Sequence, residues 1–437
     1  MTDQPNKHRR HVSYRSAHRA RSHESAHSEL APATGDQIDH PLVPRGAATL
    51  VRKPEELAEL VEHLRASKRF GYDSEFIGEL TYVPKLCLIQ VASAERIALI
   101  DPLAELDLTP FWELIADPGL EKIVHAGQQD LEPVVRELGR PPANVFDTQI
   151  AAGFIGLPYP LSLSKLVNET AGIKLGKGLT FTHWDQRPLS ASQLRYAADD
   201  VRYLILARER IGERLAELGH AAWAAAECAE QCDPSLFVFD PAQQYHRVRG
   251  AGSLSPRNLA ILRELTIWRD AAARAADVPP RAFLRDEVMV DLSRNPVKSV
   301  EKLDRVRGLP RPVEAEHGDE IVRITARALA LPESELPVVR DNEPTPTEKF
   351  RTDALWAVAQ CLCSGQSIDV AVITSRQDIN DFYHHLQGTN GSEPHRLLTG
   401  WRHEALGKTL TQLVEGKARV ELGWPNGTLR VAAHGAG

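Results

Sequence analysis

A chain of 437 residues exceeds what one ordinary hydrophobic core organises, so two to four domains are expected. Its 42% hydrophobic and 25% charged content is that of a globular protein, and a formal net charge of -7 excludes one that coats nucleic acid by bulk charge while leaving room for a local basic groove. No apolar run approaches the ~20 residues that span a bilayer, no apolar N-terminal segment suggests export, and five cysteines without two CxxC pairs point to reduced thiols instead of structural zinc, so a cytoplasmic location is expected.

Residues 1–45, rich in His, Arg, Ser and Pro without an apolar period, read as a disordered basic tail. His23-Glu24-Ser25-Ala26-His27 matches the HExxH zinc pattern, but that motif needs a packed helix, and the polar neighbours Arg21, Ser22, Ser28 and Glu29 offer none; it is a chance match. From Ala48 the pattern becomes α/β. A strand at 48–51 leads to a helix starting at Pro54, a residue suited to the first helical turn. An apolar strand then ends in Asp73-Ser74-Glu75, within GYDSEFIG (71–78). Residues 85–91 and 96–100 read as strands joined by a turn at 93–95. A helix near 110–116, a strand at 122–125, a helix near 128–138 with Asp130 on its first turn, and a strand at 145–148 follow. A long helix after Ser190, a suitable N-cap, spans 191–218. Strands in hairpin order, then alternating with helices, imply a mixed sheet flanked by helices. Residues 250–255 read as a linker, 256–331 as a helical block, 335–346 as a polar break, and 347–422 as a third, helical block with a loose end.

In an extended strand residues i and i+2 share a face, so Asp73 and Glu75 aim two carboxylates at one spot. Such a pair repels unless a cation lies between, and hard divalent cations prefer oxygen ligands. An isolated D-x-E is more simply two solvated acids. Asp130 closes HAGQQD (125–130) after a strand, and Tyr196 and Asp200, four residues apart, share one helix face. Asp199 is rotated about 100° away and reads as a bystander. Taken singly, Asp130 is a helix-dipole acid, Asp200 a surface residue and Tyr196 a core aromatic.

Taken together, DSE, HAGxxD and YxxxD resemble, in order, spacing and context, the three motifs of the DEDD 3′–5′ exonuclease superfamily in its tyrosine-bearing branch. TYVPKLCLIQV (81–91), ALIDPL (98–103), FDTQIAA (146–152) and HWDQRPLSASQLRYAADDVRYL (183–204) narrow the resemblance to the ribonuclease D family over about 48–219. Residues 256–331 are similar to an HRDC domain, the helical module shared with RecQ-type helicases. Residues 347–422, with Trp401 and Arg402, are similar to the family's more divergent second HRDC-like repeat. Asp199 departs from the pattern, where an apolar residue is more usual.

The resemblance implies an α/β ribonuclease H-like exonuclease domain (mixed sheet flanked by helices) over 46–245, followed by two all-α HRDC-type domains over 254–332 and 345–425. It implies a metal-dependent 3′–5′ exoribonuclease, acting as a monomer on tRNA precursors or other structured RNA with a free 3′ end. Asp73, Glu75 and Asp200 would hold the first of two divalent metal ions, Mg²⁺ or Mn²⁺. Asp73 would bridge to the second, Asp130 would act through water, and Tyr196 would orient the attacking water. His125 and Asp147 are supporting candidates, His125 being equally readable as a satisfied structural histidine. The helical blocks carry no catalytic pattern and are expected to hold substrate. Residues 256–331 contain 14 Lys+Arg against 12 Asp+Glu, a net of +2, with 294–311 the most basic stretch. A plain solvated face explains that stretch equally well, and Trp268 reads as core, not as a base-stacking platform. Two other readings remain: a DNA exonuclease, separated from the first by contacts to the 2′-OH, and a non-catalytic scaffold, which has no need of four acids and a tyrosine. A helicase is excluded, because the nearest approach to a P-loop, 172–177, is one residue short and followed by Gly178.

Overall fold

The computed structural model describes residues 38–176, 183–337, 345–388, 394–427 and 430–435. The His23–His27 match, most of the expected tail, and Lys177 and Gly178 lie outside the described residues.

Six strands form one sheet: β1 (Thr49–Val51), β2 (Arg69–Ile77), β3 (Lys85–Ala92), β4 (Ile97–Ile100), β5 (Glu121–Val124) and β6 (Val145–Asp147), in the order β1-β4-β3-β2-β5-β6. β2, β3 and β4 are an antiparallel meander, while β1 joins β4, and β5 joins β2 and β6, in parallel. The sheet is therefore mixed, as expected. Helices α1 (Pro54–Ser67), α2 (Thr109–Ala116) and α3 (Glu132–Leu138) cover one face. There Leu60, Leu64, Phe111 and Val134 pack on Phe70, Tyr72, Ile89 and Val91. Helices α4 (Thr148–Gly153), α5 (Leu163–Ala171), α6 (Ala191–Arg202), α7 (Leu204–Leu218) and α8 (Ala221–Glu230) follow. On the second face Ala198 and Val201 of α6 and Leu204 and Ile205 of α7 cover Ala92, Ile97 and Ile123.

Two local expectations change. The single helix over 191–218 is broken at Tyr203, although the sequence has neither proline nor glycine there. The break falls where Gly71 of β2 backs onto it, a Cβ at that glycine standing 3.1 Å from the Val201 carbonyl oxygen and 3.2 Å from Leu204. Beside it Arg202 donates to the carbonyls of Pro44 (2.9 Å) and Gly46 (3.2 Å). Tertiary contact overrides helix propensity here. Those partners also correct the expected tail. Within 38–45, Val43 and Pro44 are buried, Val43 among Val167, Tyr203 and Leu206, so the expected disordered stretch does not reach 45.

The next module contains α9 (Pro256–Ala275), α10 (Asp286–Arg294) and α11 (Arg311–Leu329). Leu262, Leu265, Met289, Leu292 and Ile321 form its core. Trp268 lies in it, edge-on to Phe283 with ring centres 5.9 Å apart. The same core takes in Tyr245, Val248, Ala251 and Leu254, so 250–255 is not a free linker. Apolar residues three apart draw it onto the helices.

The last region contains α12 (Pro346–Gly365), α13 (Arg376–Leu386) and α14 (Lys408–Val414). Its Cys363, Phe382, Trp401 and Leu406 share one core with Phe154, Ala207, Ile211 and Ala224 of the α/β domain. The chain then forms an antiparallel hairpin, β7 (Ala418–Gly423) with β8 (Arg430–Gly435), where a helix to 422 and a loose end were expected. Arg419 and Glu421 alternate with Val420 and Leu422, a period of two, and Asn426 takes the left-handed conformation (φ 54°) before Gly427. All five cysteines are free, and among the described residues no helix is long and apolar enough to cross a membrane.

Candidate active site

β5 pairs with β2 only over Arg69–Gly71, so beyond Gly71 the far edge of β2 is left open. Asp73 and Glu75 occupy this stretch. They sit in the middle of a nine-residue strand, not at its end as expected, because β3 continues to pair with β2 as far as Ile77, across a bulge between Glu75 and Phe76. Alternation puts both side chains on the face of Gly71, towards α6 and α7.

α6 is started by a capping box. The Ser190 hydroxyl accepts from the Gln193 amide (3.2 Å), and the Ser190 amide donates to Gln193 Oε1 (2.9 Å). This fixed start brings Tyr196 and Asp200 over β2. Tyr196 lies close enough to Asp200 for that charge to act on its phenol, and its ring centre is 6.2 Å from that of Trp184. Asp199 turns aside to pair with Arg202 at 3.0 Å.

Asp130 is not on the first turn of a helix as expected. It belongs to a turn, and α3 starts only at Glu132, because the Tyr72 hydroxyl donates to the Asp130 carbonyl (2.6 Å) and pulls this stretch against β2. The Ser74 hydroxyl donates to Asp130 Oδ1. Ser74 lies on the opposite pleat from Asp73 and Glu75, so Asp130 reaches the group around the strand's open edge. The structure thus gathers Asp73, Glu75, Tyr196 and Asp200 on one face, with Asp130 alongside and close enough for the charges of Asp73 and Glu75 to act on it.

Burial is the largest influence on every one of these groups. It pushes Asp73 up to about 6 against the opposing hydrogen bond from the Ser74 backbone. Glu75 rises to about 8 through burial and the charge of Asp73, and Asp200 to about 9 through burial and then Asp73 and Glu75. Asp130 lies well above the usual carboxylate range through burial and then Asp73, and the Tyr196 phenol is raised by burial and then Asp200. Four acids raised together mark a place that lacks positive charge.

The donor set suits a cation. Among the described residues Asp200 Oδ2 is buried without a hydrogen-bond partner. Among the described residues no three His, Cys, Asp or Glu side chains close into a ready-made ligand set. An all-oxygen set matches a hard divalent ion and not zinc.

His125 is the satisfied structural histidine. Its Nδ1 is 3.0 Å from Thr148 Oγ1 and its Nε2 2.8 Å from the Leu161 carbonyl, while burial lowers its pKa, with Asp147 opposing. Asp147 is fully buried and accepts from the amides of Ala126 (3.1 Å), Gly127 (3.2 Å) and Gln149 (2.8 Å). It ties the loop leading to Asp130 to the start of α4. Sequence reasoning missed Ser74, although it stands inside DSE. It also missed Arg187, which pairs both Asp101 oxygens (2.8 and 2.7 Å) and the Cys87 carbonyl (2.7 Å), fixing the approach to α6 against the sheet. No local pattern links residues 86 positions apart.

Four acids and a tyrosine gathered at one place on a mixed sheet, with a packed helical module further along the chain, fit the class of 3′–5′ exonucleases. Residues 48–216 match the family model described as 3′-5′ exonuclease, and residues 258–325 the HRDC domain. Ribonuclease D of Gluconacetobacter diazotrophicus is 34% identical over 375 residues, covering 84% of this chain and 93% of that one. Ribonuclease D of Pseudomonas paraeruginosa is 34% identical over 369 residues, covering 84% and 97%. The crystal structure of Escherichia coli RNase D, described as an exoribonuclease involved in structured RNA processing, is similar with a TM-score of 0.75 at 30% identity, covering 85% of this chain and 99% of that one. The chain belongs to the ribonuclease D family and is a 3′–5′ exoribonuclease. Dependence on divalent metal comes with that class.

Proposed function

We propose that the chain is a cytoplasmic, monomeric enzyme that shortens tRNA precursors or other structured RNA from the 3′ end using two divalent ions, Mg²⁺ or Mn²⁺. The observation that carries this reading is the buried, unpartnered Oδ2 of Asp200, on a helix laid over Asp73 and Glu75. In this reading Asp73, Glu75 and Asp200 would hold one ion, and Asp73 together with Asp130, the latter through water, would serve a second. The ions supply charge for the attacking and leaving oxygens of an in-line displacement. Tyr196, its phenol kept protonated by burial and by Asp200, orients the attacking water and does not act as a base. His125, neutral and bonded at both nitrogens, keeps the preceding loop in place. RNA lies along the HRDC domain, 254–332, with phosphates on the basic 294–311 stretch, and a second HRDC-like domain, 345–425, completes the holder. The preference for structured RNA rests on the likeness to the E. coli enzyme.

The test is a time course on a 5′-labelled tRNA with a 3′ extension, beside DNA of the same sequence, in Mg²⁺, Mn²⁺ or EDTA. Wild type is expected to produce a ladder from the RNA 3′ end that EDTA and Asp200→Ala abolish. Shortening of DNA alone overturns the substrate, and no shortening in either metal overturns the catalytic roles.

A further inference from the structure

Gln90 lies in an apolar strand with nothing for its carboxamide to do. It stands in β3 directly opposite Asp73 in the antiparallel register. Directly opposed residues share a face and keep their Cβ atoms about 4.5–5.5 Å apart. Two residues to either side, Leu88 packs with Ala197, and Ala92 with Ala198 and Val201. The glutamine is therefore enclosed between Asp73 and α6. It is fully buried, and among the described residues neither Nε2 nor Oε1 has a hydrogen-bond partner.

Such an arrangement opposes folding. An unsatisfied buried polar group loses its hydration without recovering a partner, and native chains keep few of them. A leucine or methionine would fill the same volume between Leu88 and Ala92 at no such cost. What the position does have is Asp73 beside it on the same face, the acid that the proposed function places on both ions.

We infer that Gln90 is a positioning residue for Asp73, its Nε2 donating to the Asp73 carboxylate when that group is charged and bound to cation. The terminal torsion of a carboxamide is broad, so a small rotation serves. The bond would fix which Asp73 oxygens face Glu75 and Asp200, as outer hydrogen bonds orient metal-ligating carboxylates elsewhere. The inference rests on the proposed role of Asp73 and deepens it.

The experiment uses the full chain carrying Gln90→Met, Gln90→Leu or Asp73→Asn. Each is melted in EDTA, titrated calorimetrically with Mn²⁺, and assayed for kcat and KM on a short RNA. For Gln90→Met the melting temperature in EDTA is expected to rise, while Mn²⁺ affinity and kcat each fall by about tenfold, at the low end of the effect of losing an outer-shell partner. KM for RNA is expected to hold. A lower melting temperature with unchanged Mn²⁺ affinity and kcat overturns the inference, because the amide is then scaffold. Failure of both apolar variants to fold overturns it for the same reason. Asp73→Asn separates the two levels: unchanged Mn²⁺ affinity in that variant sinks the metal-ligand role itself, whereas a loss there without one in Gln90→Met sinks only the role of Gln90.

Discussion

Asp200→Asn keeps the shape of the side chain and removes its charge, and the structure sets the sign of the result. Asp200 rises to about 9 and Glu75 to about 8 in the folded protein, against about 4 in an unfolded chain. A raised folded value means that the native state keeps protons the unfolded chain has released. The stability of the metal-free protein therefore falls as pH climbs from about 4 through 8 and 9. Asp200 is only partly covered and shares its repulsion with Asp73 and Glu75, so screening leaves about 2 kcal/mol at pH 8.5 of the larger figure full burial would imply. At about 2–4 °C per kcal/mol for a domain of this size, Asp200→Asn should melt about 4–8 °C above wild type in EDTA at pH 8.5. At pH 5, only about one unit above the unfolded value, the gain should shrink to about a quarter of that, roughly 1–2 °C. Mn²⁺ should then raise the melting temperature of wild type at pH 8.5 more than that of the variant. Circular dichroism melts at the two pH values, with and without Mn²⁺, make the measurement. A variant that melts lower at both pH values, or gains equally at both, would refute the argument that these carboxylates strain the site.

Two further predictions concern how the helical modules are held. Tyr82, in the loop joining β2 to β3, donates to Asp270 Oδ1 (2.5 Å), accepts from Arg274 Nη2 (2.9 Å) and lies 4.5 Å beneath the Arg274 guanidinium, while its amide reaches Asp277 Oδ1 (3.1 Å). Tyr82→Phe leaves the buried Asp270 short of a donor, at about 1–3 kcal/mol, and should slow turnover of a long structured RNA while sparing a short oligonucleotide; equal loss on both substrates contradicts a holding role. Arg402 is buried, bonded to Glu227 and, at 2.8 Å, to Glu230 of α8. Arg402→Ala strands Glu227 without its cation, should cost about 3–5 kcal/mol, and should split calorimetric unfolding so that the C-terminal region melts first; a single transition at the wild-type temperature argues against that dependence.

What the sequence made legible was local. Asp73 and Glu75 share a face because a strand has a period of two, and Tyr196 and Asp200 because a helix has one of 3.6, so both pairs could be placed without coordinates. The six strands were visible for the same reason, each being an apolar run bounded by a turn. The β7–β8 hairpin obeyed these rules too, with its alternation of Arg419, Val420, Glu421 and Leu422, but the helical content of the preceding block overshadowed it.

The remainder depended on contacts between distant parts of the chain. Nothing near Tyr203 in sequence breaks a helix; the break comes from Gly71, whose missing side chain lets β2 press against the Val201 carbonyl. Nothing near Asp130 says that it hangs from Tyr72 and Ser74, the latter 56 positions earlier. These contacts do the same physical work. Like-charged carboxylates fly apart unless something outside them fixes their positions, and a helix or strand holding two acids cannot do this for a third on another element. Long-range partners must therefore supply it, and in this fold they include Tyr72 and Ser74, which hold the turn after β5, and Arg187, which pins the segment before α6. A motif can name the acids of such a site. The restraint that keeps them together is spread over residues whose local sequence gives no sign of it.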